Sequence, residues 1–158
     1  MRKILLVLFC TSTVITYAQT SDAEAQAIVN LLGVQKKEVV GKLVVLNPKD
    51  TAAFWKLYDE YQKKNMAVGT SRIQLYEKTA MAYSNMTPAT ADSLSQKYFD
   101  NRMAQEKSLQ EYYQKIKSAT NAVTAFEFYQ AEVYILTQVR AHIMQQIPTY
   151  SEFVATKR

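Results

Sequence analysis

The chain has 158 residues, a formal net charge of +5, three glycines, three prolines, one cysteine and one histidine. This length fits one domain. Zinc sites draw mainly on several cysteines and histidines, so the residue inventory argues against a metal centre. With so few glycines there is no phosphate-binding loop, and no G-x-S-x-G nucleophile turn occurs. The composition therefore predicts a non-catalytic protein without metal or cofactor.

Residues 1–18 have the three parts of a cleavable signal peptide. Arg2 and Lys3 form a positive start, an apolar run follows, and the small residues Thr16 and Ala18 occupy the cleavage positions. The run is shorter than the roughly 20 apolar residues that span a bilayer. We therefore expect cleavage after Ala18 and export to the periplasm or the exterior, without stable membrane insertion.

Cys10 offers an alternative, because a lipid-attachment site ends in a cysteine. Phe9 stands where such a site needs a small residue, which argues against lipidation. Without residues 1–18 the chain has no cysteine for disulfide or thiol chemistry, and its net charge falls to +3 because Arg2 and Lys3 are lost. An exported chain is not expected to bind nucleic acid. The mild charge suits acidic polypeptides or anionic lipid, although a solvated helical surface is the simpler explanation.

Prolines and capping residues divide the remaining chain into four predicted helices, over about 21–46, 49–85, 88–118 and 121–147. Asn47 and Thr87 each precede a proline, an order typical of a helix cap followed by the first helical residue. Thr120 or Asn121 is expected to cap the last helix. Pro148 is expected to end it, because proline cannot continue a helix.

Apolar residues recur at three- and four-residue steps in each predicted helix, which indicates one buried face per helix. The rows are Ile28, Leu32, Val39, Leu43 and Leu46; Phe54, Tyr58, Tyr61, Val68, Tyr76 and Tyr83; Leu94, Tyr98, Leu109, Tyr112 and Ile116; and Phe126, Tyr129, Val133, Leu136, Ile143 and Ile147. No useful length shows strand-like alternation. We predict an all-α fold of four long helices in a thin, open or curved bundle without a sheet. The helical domain spans 19–148, and a short tail follows at 149–158.

Tyrosine is unusually frequent in these rows. Its ring packs in a core while its hydroxyl needs water or a polar partner, which predicts a thin core whose edges approach solvent. Simple aromatic packing explains such rows, and an open surface that binds other chains is the functional alternative. Arg72 and Arg140 interrupt two rows. An arginine in that position pairs with a carboxylate, stacks on a ring or marks a binding face.

Two stretches of the sequence are Asn47-Pro48 followed by Phe54-Trp55-Lys56-Leu57-Tyr58-Asp59-Glu60-Tyr61, and Phe126 with Gln130-Ala131-Glu132 and Ile147-Pro148. Both resemble the exported Spy/CpxP-related helical proteins, in the divergent form found in Bacteroidetes. The resemblance covers most of 35–150. The named members carry a Leu-Thr-x-x-Gln motif, and the closest match here, Met86-Thr87-Pro88-Ala89-Thr90, lacks its leucine and glutamine. The zinc-responsive members bind metal, and this chain lacks their ligands.

The resemblance implies an ATP-independent periplasmic chaperone that holds unfolded or partner polypeptides on a concave, apolar and basic face. The alternative is a stress-response regulatory protein that docks a membrane sensor domain. The residues expected to contact polypeptides are Phe54, Trp55, Tyr58, Tyr61, Arg72 and Tyr76. We also expect a homodimer, because a thin bundle of long helices cannot bury all its apolar rows alone.

Overall fold

The structure, a computed structural model, describes residues 35–157. Its elements are α1, described over 35–43, α2 (Thr51–Ala82), a 3₁₀ turn (Tyr83–Asn85), α3 (Pro88–Ala119), α4 (Ala122–Gln145) and α5 (Tyr150–Ala155). No strand occurs in this part of the chain, and the predicted all-α bundle is confirmed. The predicted signal peptide, its cleavage site and the start of the first predicted helix, with Ile28 and Leu32, lie outside the described residues.

The predicted starts of α3 and α4 are confirmed to within one residue. Thr87 accepts a hydrogen bond from the backbone N–H of Thr90 at 3.1 Å, and Pro88 is the first residue of α3. Asn121 accepts from two backbone N–H groups in the first turn of α4, at 2.9 and 3.0 Å. These side chains satisfy N–H groups that no carbonyl within the helix reaches.

The predicted Asn47 cap is wrong. α2 begins only at Thr51, and Asp50 occupies its N-cap position without a side-chain hydrogen bond. The backbone carbonyl of Asn47 accepts from the N–H groups of Asp50 and Thr51 at 2.9 and 3.2 Å, so Pro48 lies in a turn before the helix. Asn47 and Pro48 therefore form a tight turn before α2 and do not form its N-terminus.

The end of the chain is more ordered than a plain tail. α4 ends at Gln145, and Pro148 follows in the connection to α5. Thr149 and Glu152 form a capping box, in which each side chain bonds the other residue's backbone N–H. The backbone hydrogen bond from Thr149 lowers the pKa of the Glu152 carboxyl from its ordinary value.

The bundle is built around α3, which packs against both α2 and α4. α2 and α3 run antiparallel, as shown by side-chain bonds that join Asn65 to Ser108 and Arg72 to Asn101. α2 and α4 run parallel and contact each other where Phe128 packs on Tyr58 and Tyr61, and α1 forms ion pairs with both helices there. We call this part of the bundle the closed end. The remaining length, toward Ala82 of α2 and Gln145 of α4, is the groove end.

Aromatic packing forms the core of the closed end. The ring of Phe128 from α4 lies between 5.2 and 6.4 Å from the rings of Phe54, Tyr58 and Tyr61 of α2, in edge-on geometry. Tyr112 of α3 packs edge-on against Tyr61 at 5.5 Å. Edge-to-face pairs add a modest attraction to the larger gain from burying the rings. The cluster also contains Val40, Val44, Leu109, Ile116, Ala125, Ala131 and Ile135.

Two of the predicted apolar faces are rotated from the true ones. The predicted row of α4 places Phe126, Tyr129 and Val133 inside, but all three are exposed. In α1, Val39 and Leu43 are exposed as well, and their neighbours are buried instead. The buried positions are Val40 of α1, Val44 directly after it, and Thr124, Ala125, Phe128, Ala131, Glu132 and Ile135 of α4. Besides Phe128 and Ile135, the inner face of α4 holds small residues and one carboxylate, which a search for rows of large apolar side chains does not detect.

Candidate functional site

Three residues predicted to bind polypeptides belong to the core. Phe54, Tyr58 and Tyr61 are each 0% exposed, so a surface role for them is wrong in this conformation. The physical reason is packing from three sides: Phe128 of α4 and Tyr112 of α3 lie against these rings, and Val40 of α1 belongs to the same buried cluster. The prediction that core tyrosines approach solvent is likewise wrong for Tyr58 and Tyr61, because their hydroxyls find a partner inside the protein.

That partner is a buried carboxylate at the centre of the closed end. Glu132 is 0% exposed and accepts hydrogen bonds from the hydroxyls of Tyr61 at 2.6 Å and Tyr58 at 3.2 Å. The ammonium of Lys36 pairs with the same carboxylate at 2.6 Å. Burial, followed by the charge of Glu132, raises the pKa of both tyrosines above the ordinary value. The cluster is therefore a satisfied ionic network that fastens α1 to α2 and α4.

The sequence pattern did not predict Glu132 as a core residue. One signal existed. Glu132 follows Phe128 by four residues and precedes Ile135 by three, so all three share a helix face. A single acid on a face that also carries a phenylalanine and an isoleucine indicates a buried pair when a lysine from another helix reaches it.

The other three predicted residues are partly accessible but do not form one patch. Trp55 lies at the closed end, where it packs beside Gly41 and the ammonium of Lys37 lies 5.3 Å from its ring. Arg72 and Tyr76 lie at the groove end, each half-buried. Of the six predicted residues, only Arg72 and Tyr76 therefore share a concave surface.

That surface is a groove between α2 and α4, with α3 as its floor. It consists of two adjoining cavities of about 450 and 430 Å³. The cavity nearer the closed end is lined by apolar side chains that include Met66, Val68, Ile73, Leu136, Val139 and Ile143. The outer cavity is lined by Tyr76, Tyr83, Tyr98, Phe99, Met144 and Ile147, among others.

Two arginines stand where the cavities meet, since Arg72 and Arg140 line both. Arg72 Nε donates to Asn101 Oδ1 at 2.8 Å, and Arg140 Nη2 donates to Gln105 Oε1 at 3.3 Å. Neither arginine forms an ion pair with another described residue. Burial, reinforced by the charge of Arg140, lowers the pKa of the Arg72 guanidinium from its ordinary value. Two half-buried cations held by neutral amides form a positive site that favours an anionic group from a ligand.

The groove offers apolar walls and cations, the contacts of noncovalent binding. No group of three or more metal-ligating side chains is found among residues 35–157, and His142 lies exposed in the last turn of α4. None of the described helices is long and apolar enough to cross a membrane. Compared with known proteins, the chain matches no family model, no curated protein and no solved structure.

Proposed function

We propose that the protein is a non-catalytic, extracytoplasmic polypeptide-binding protein, chaperone-like in action and independent of ATP. It holds exposed apolar segments of other chains in the groove between α2 and α4. The observation that carries this proposal is the placement of Arg72 and Arg140 inside an apolar groove. The resemblance to the Spy/CpxP-related proteins supports the same function.

The chemistry of the groove indicates which segments it suits. Its apolar walls accept side chains such as leucine or phenylalanine, and its arginines attract a nearby carboxylate. Each buried apolar side chain contributes about 2 kcal/mol, and the ordering of a flexible segment offsets part of that gain. We therefore expect weak, reversible binding of apolar segments that carry an acidic residue, with little further sequence specificity.

The test is an aggregation assay with two unrelated unfolded clients and no ATP. Leu136→Glu places a carboxylate in the groove one helical turn from Arg140, so it is expected to abolish suppression. Leu43→Glu is the matched control, because Leu43 is 44% exposed on α1 and does not line the groove. Suppression of both clients by the control but not by the groove variant supports the proposal. No suppression by the unchanged protein, together with capture of one folded sensor domain, would favour the regulatory alternative.

The homodimer is part of this proposal. The outer row of α4 (Val123, Phe126, Tyr129 and Val133) is exposed and lies at helical spacing on one face. A twofold pairing brings such a row against itself, which would cover it in both copies. Sedimentation at tens of micromolar concentration is expected to show a dimer that Phe126→Glu dissociates. A monomeric unchanged protein would contradict this part of the proposal.

A further inference from the structure

Helix α1 points along the groove. It is already helical at residue 35, the first described position, and Lys36 and Lys37 line the inner cavity. Lys37 pairs with Asp59 of α2, while Lys36 pairs with Glu132 of α4. α1 therefore lies between these two helices, directly at the inner end of the space that separates them. Any continuation of α1 toward the N-terminus enters the groove.

The register between α1 and α2 predicts which positions would meet. Gly41 lies beside Trp55 and Lys37 beside Asp59, so a step of four residues back along α1 is a step of four forward along α2. This is an antiparallel arrangement. Seven residues are close to two helical turns and return a helix to the same face. A helix continued from Lys37 thus places position 30 opposite Met66 and position 23 opposite Ile73, and both partners line the groove.

The register with α4 matches apolar residues and charges. In a helix continued from Lys36, Val29 would lie seven residues before the Lys36–Glu132 pair and opposite Val139, an apolar residue of the groove wall. Asp22 would lie a further seven residues along the same face, within a helical turn of the level of Arg72. The segment would thus bring an apolar side chain to the apolar wall and a carboxylate to the cations, the combination that the groove suits.

The length and the start of the segment also fit. Ser21-Asp22-Ala23-Glu24 matches a capping box, the signature of a helix N-terminus. A helix over 22–34 is about 20 Å long. The level of Arg72 lies ten residues, or about 15 Å, beyond Gln62, which accepts a hydrogen bond from Lys36. The segment is therefore long enough to cover the inner cavity and reach the arginines.

We propose that residues 22–34 dock in the groove as a continuation of α1 and compete there with polypeptides from other chains. The docking stands on the register, the charges and the length of the segment. The competition rests, in addition, on the proposed function. The protein thus carries its own occupant of the binding groove, and a client gains access by displacing it.

Disulfide trapping tests the docking. In a Cys10→Ser background, which removes the single cysteine of the chain, Asn30→Cys is combined with Met66→Cys. The control combines Leu31→Cys with Met66→Cys, because a shift of one residue turns the side chain by about 100° to the far side of the helix. Oxidation is expected to close the first pair within one chain at least about tenfold faster than the control, since bridging needs Cα atoms within about 7 Å. Equal rates would overturn the docking. Disulfides formed only between chains would overturn it too and assign the groove to a second copy.

The same variant tests the competition separately. With its disulfide closed, the Asn30→Cys, Met66→Cys protein is expected to suppress client aggregation about fivefold less than after reduction, because the docked state excludes the client. Equal suppression in both states would overturn the competition while leaving the docking intact. Absence of suppression in both states, by a protein whose circular dichroism is unchanged, and also by the Cys10→Ser protein, would overturn the competition and the proposed function together, and the trapping rates would still decide the docking.

Discussion

The closed end and the groove end are built from the same three long helices, yet tyrosines are buried to different extents in them. At the closed end Tyr58 and Tyr61 are fully buried and donate to a carboxylate. At the groove end Tyr76 and Tyr98 pack ring against ring at 5.8 Å but remain half-buried. The tyrosines of the closed end belong to a buried cluster with Phe128 of α4 and Val40 of α1, whereas Tyr76 and Tyr98 line a cavity between α2 and α4. Burial of an aromatic row therefore depends on a neighbouring helix as much as on the row itself.

Charge separates the two ends as well. The closed end buries one carboxylate together with a lysine and two hydroxyls, so its polar groups are satisfied. The groove end holds Arg72 and Arg140 against neutral amides, which satisfies hydrogen bonds but leaves positive charge beside apolar walls. A satisfied network stabilises a fold, whereas a cation that has no ion-pair partner among the described residues and lies beside apolar surface favours a ligand of opposite charge. We thus attribute stability to the closed end and propose binding at the groove end.

The largest expected effect comes from emptying the aromatic core. Phe128→Ala removes a ring that contacts Phe54, Tyr58 and Tyr61, and we expect a loss of about 4 kcal/mol in the free energy of unfolding. Phe99→Ala is the matched change at the groove end, where the side chain is 61% exposed, and should cost less than about 0.5 kcal/mol. Urea unfolding measures both. Similar losses for the two variants would contradict the division of roles.

Breaking the buried network is expected to be nearly as costly. Glu132→Gln leaves the tyrosine hydroxyls an acceptor but removes the counter-charge of Lys36, at a cost of about 3 kcal/mol. Adding Lys36→Met should recover part of that loss, because no buried charge then remains. Glu111→Gln is the control in an exposed network with Lys64 and Lys115, and the urea midpoint should hardly move. A double variant less stable than Glu132→Gln alone would argue against this account.

The two buried tyrosines predict a loss of stability at alkaline pH. Their pKa values are raised by folding, so the unfolded chain releases these protons near pH 10 while the folded chain keeps them. Stability is therefore intact below pH 10. Above it, the free energy of unfolding should fall by up to about 1.4 kcal/mol per pH unit for each tyrosine. The Tyr58→Phe, Tyr61→Phe variant should show a shallower decline in urea unfolding between pH 9 and 11, and an unchanged slope would refute the linkage.

The helix caps give the smallest predicted effects. Thr87→Ala removes the side-chain bond that starts α3 at the groove end, and should cost about 1 kcal/mol. Asp50 occupies the corresponding position of α2 at the closed end but makes no capping bond, so Asp50→Ala should leave the stability nearly unchanged. Thermal unfolding followed by circular dichroism distinguishes the two. A larger loss for Asp50→Ala would show that the capping contacts have been assigned to the wrong helix.

The sequence predicts local features of this protein better than features that need two helices. Thr87 and Asn121 act on their own backbone, so their capping roles follow from the chain itself. The burial of Phe54 also follows from its row, although the row does not tell which neighbour covers it. A search for rows of apolar residues does not predict the burial of Glu132, because that burial depends on partners from α1 and α2.

The groove could not be predicted from the sequence for the same reason. Arg72 and Arg140 are recognisable in the sequence as cations within apolar rows. Their shared position depends on the separation of α2 and α4, a property of packing that no single helix encodes. The same packing removes Phe54, Tyr58 and Tyr61 from the predicted binding surface. Physical reasoning from one helix at a time thus finds the candidate residues but not the surface that unites them.

Methyl NMR of the methionines tests whether the groove binds polypeptide segments. Met66 lies in the inner cavity and Met144 in the outer one, while Met103 is 60% exposed on α3 outside both. The probe is an unstructured peptide of leucines and glutamates, added up to about 1 mM, where weak binding is measurable. If the peptide binds in the groove, the Met66 and Met144 signals should shift together and saturate while the Met103 signal stays in place. Shifts of equal size at Met103, or no shift at Met66 and Met144, would contradict binding in the groove.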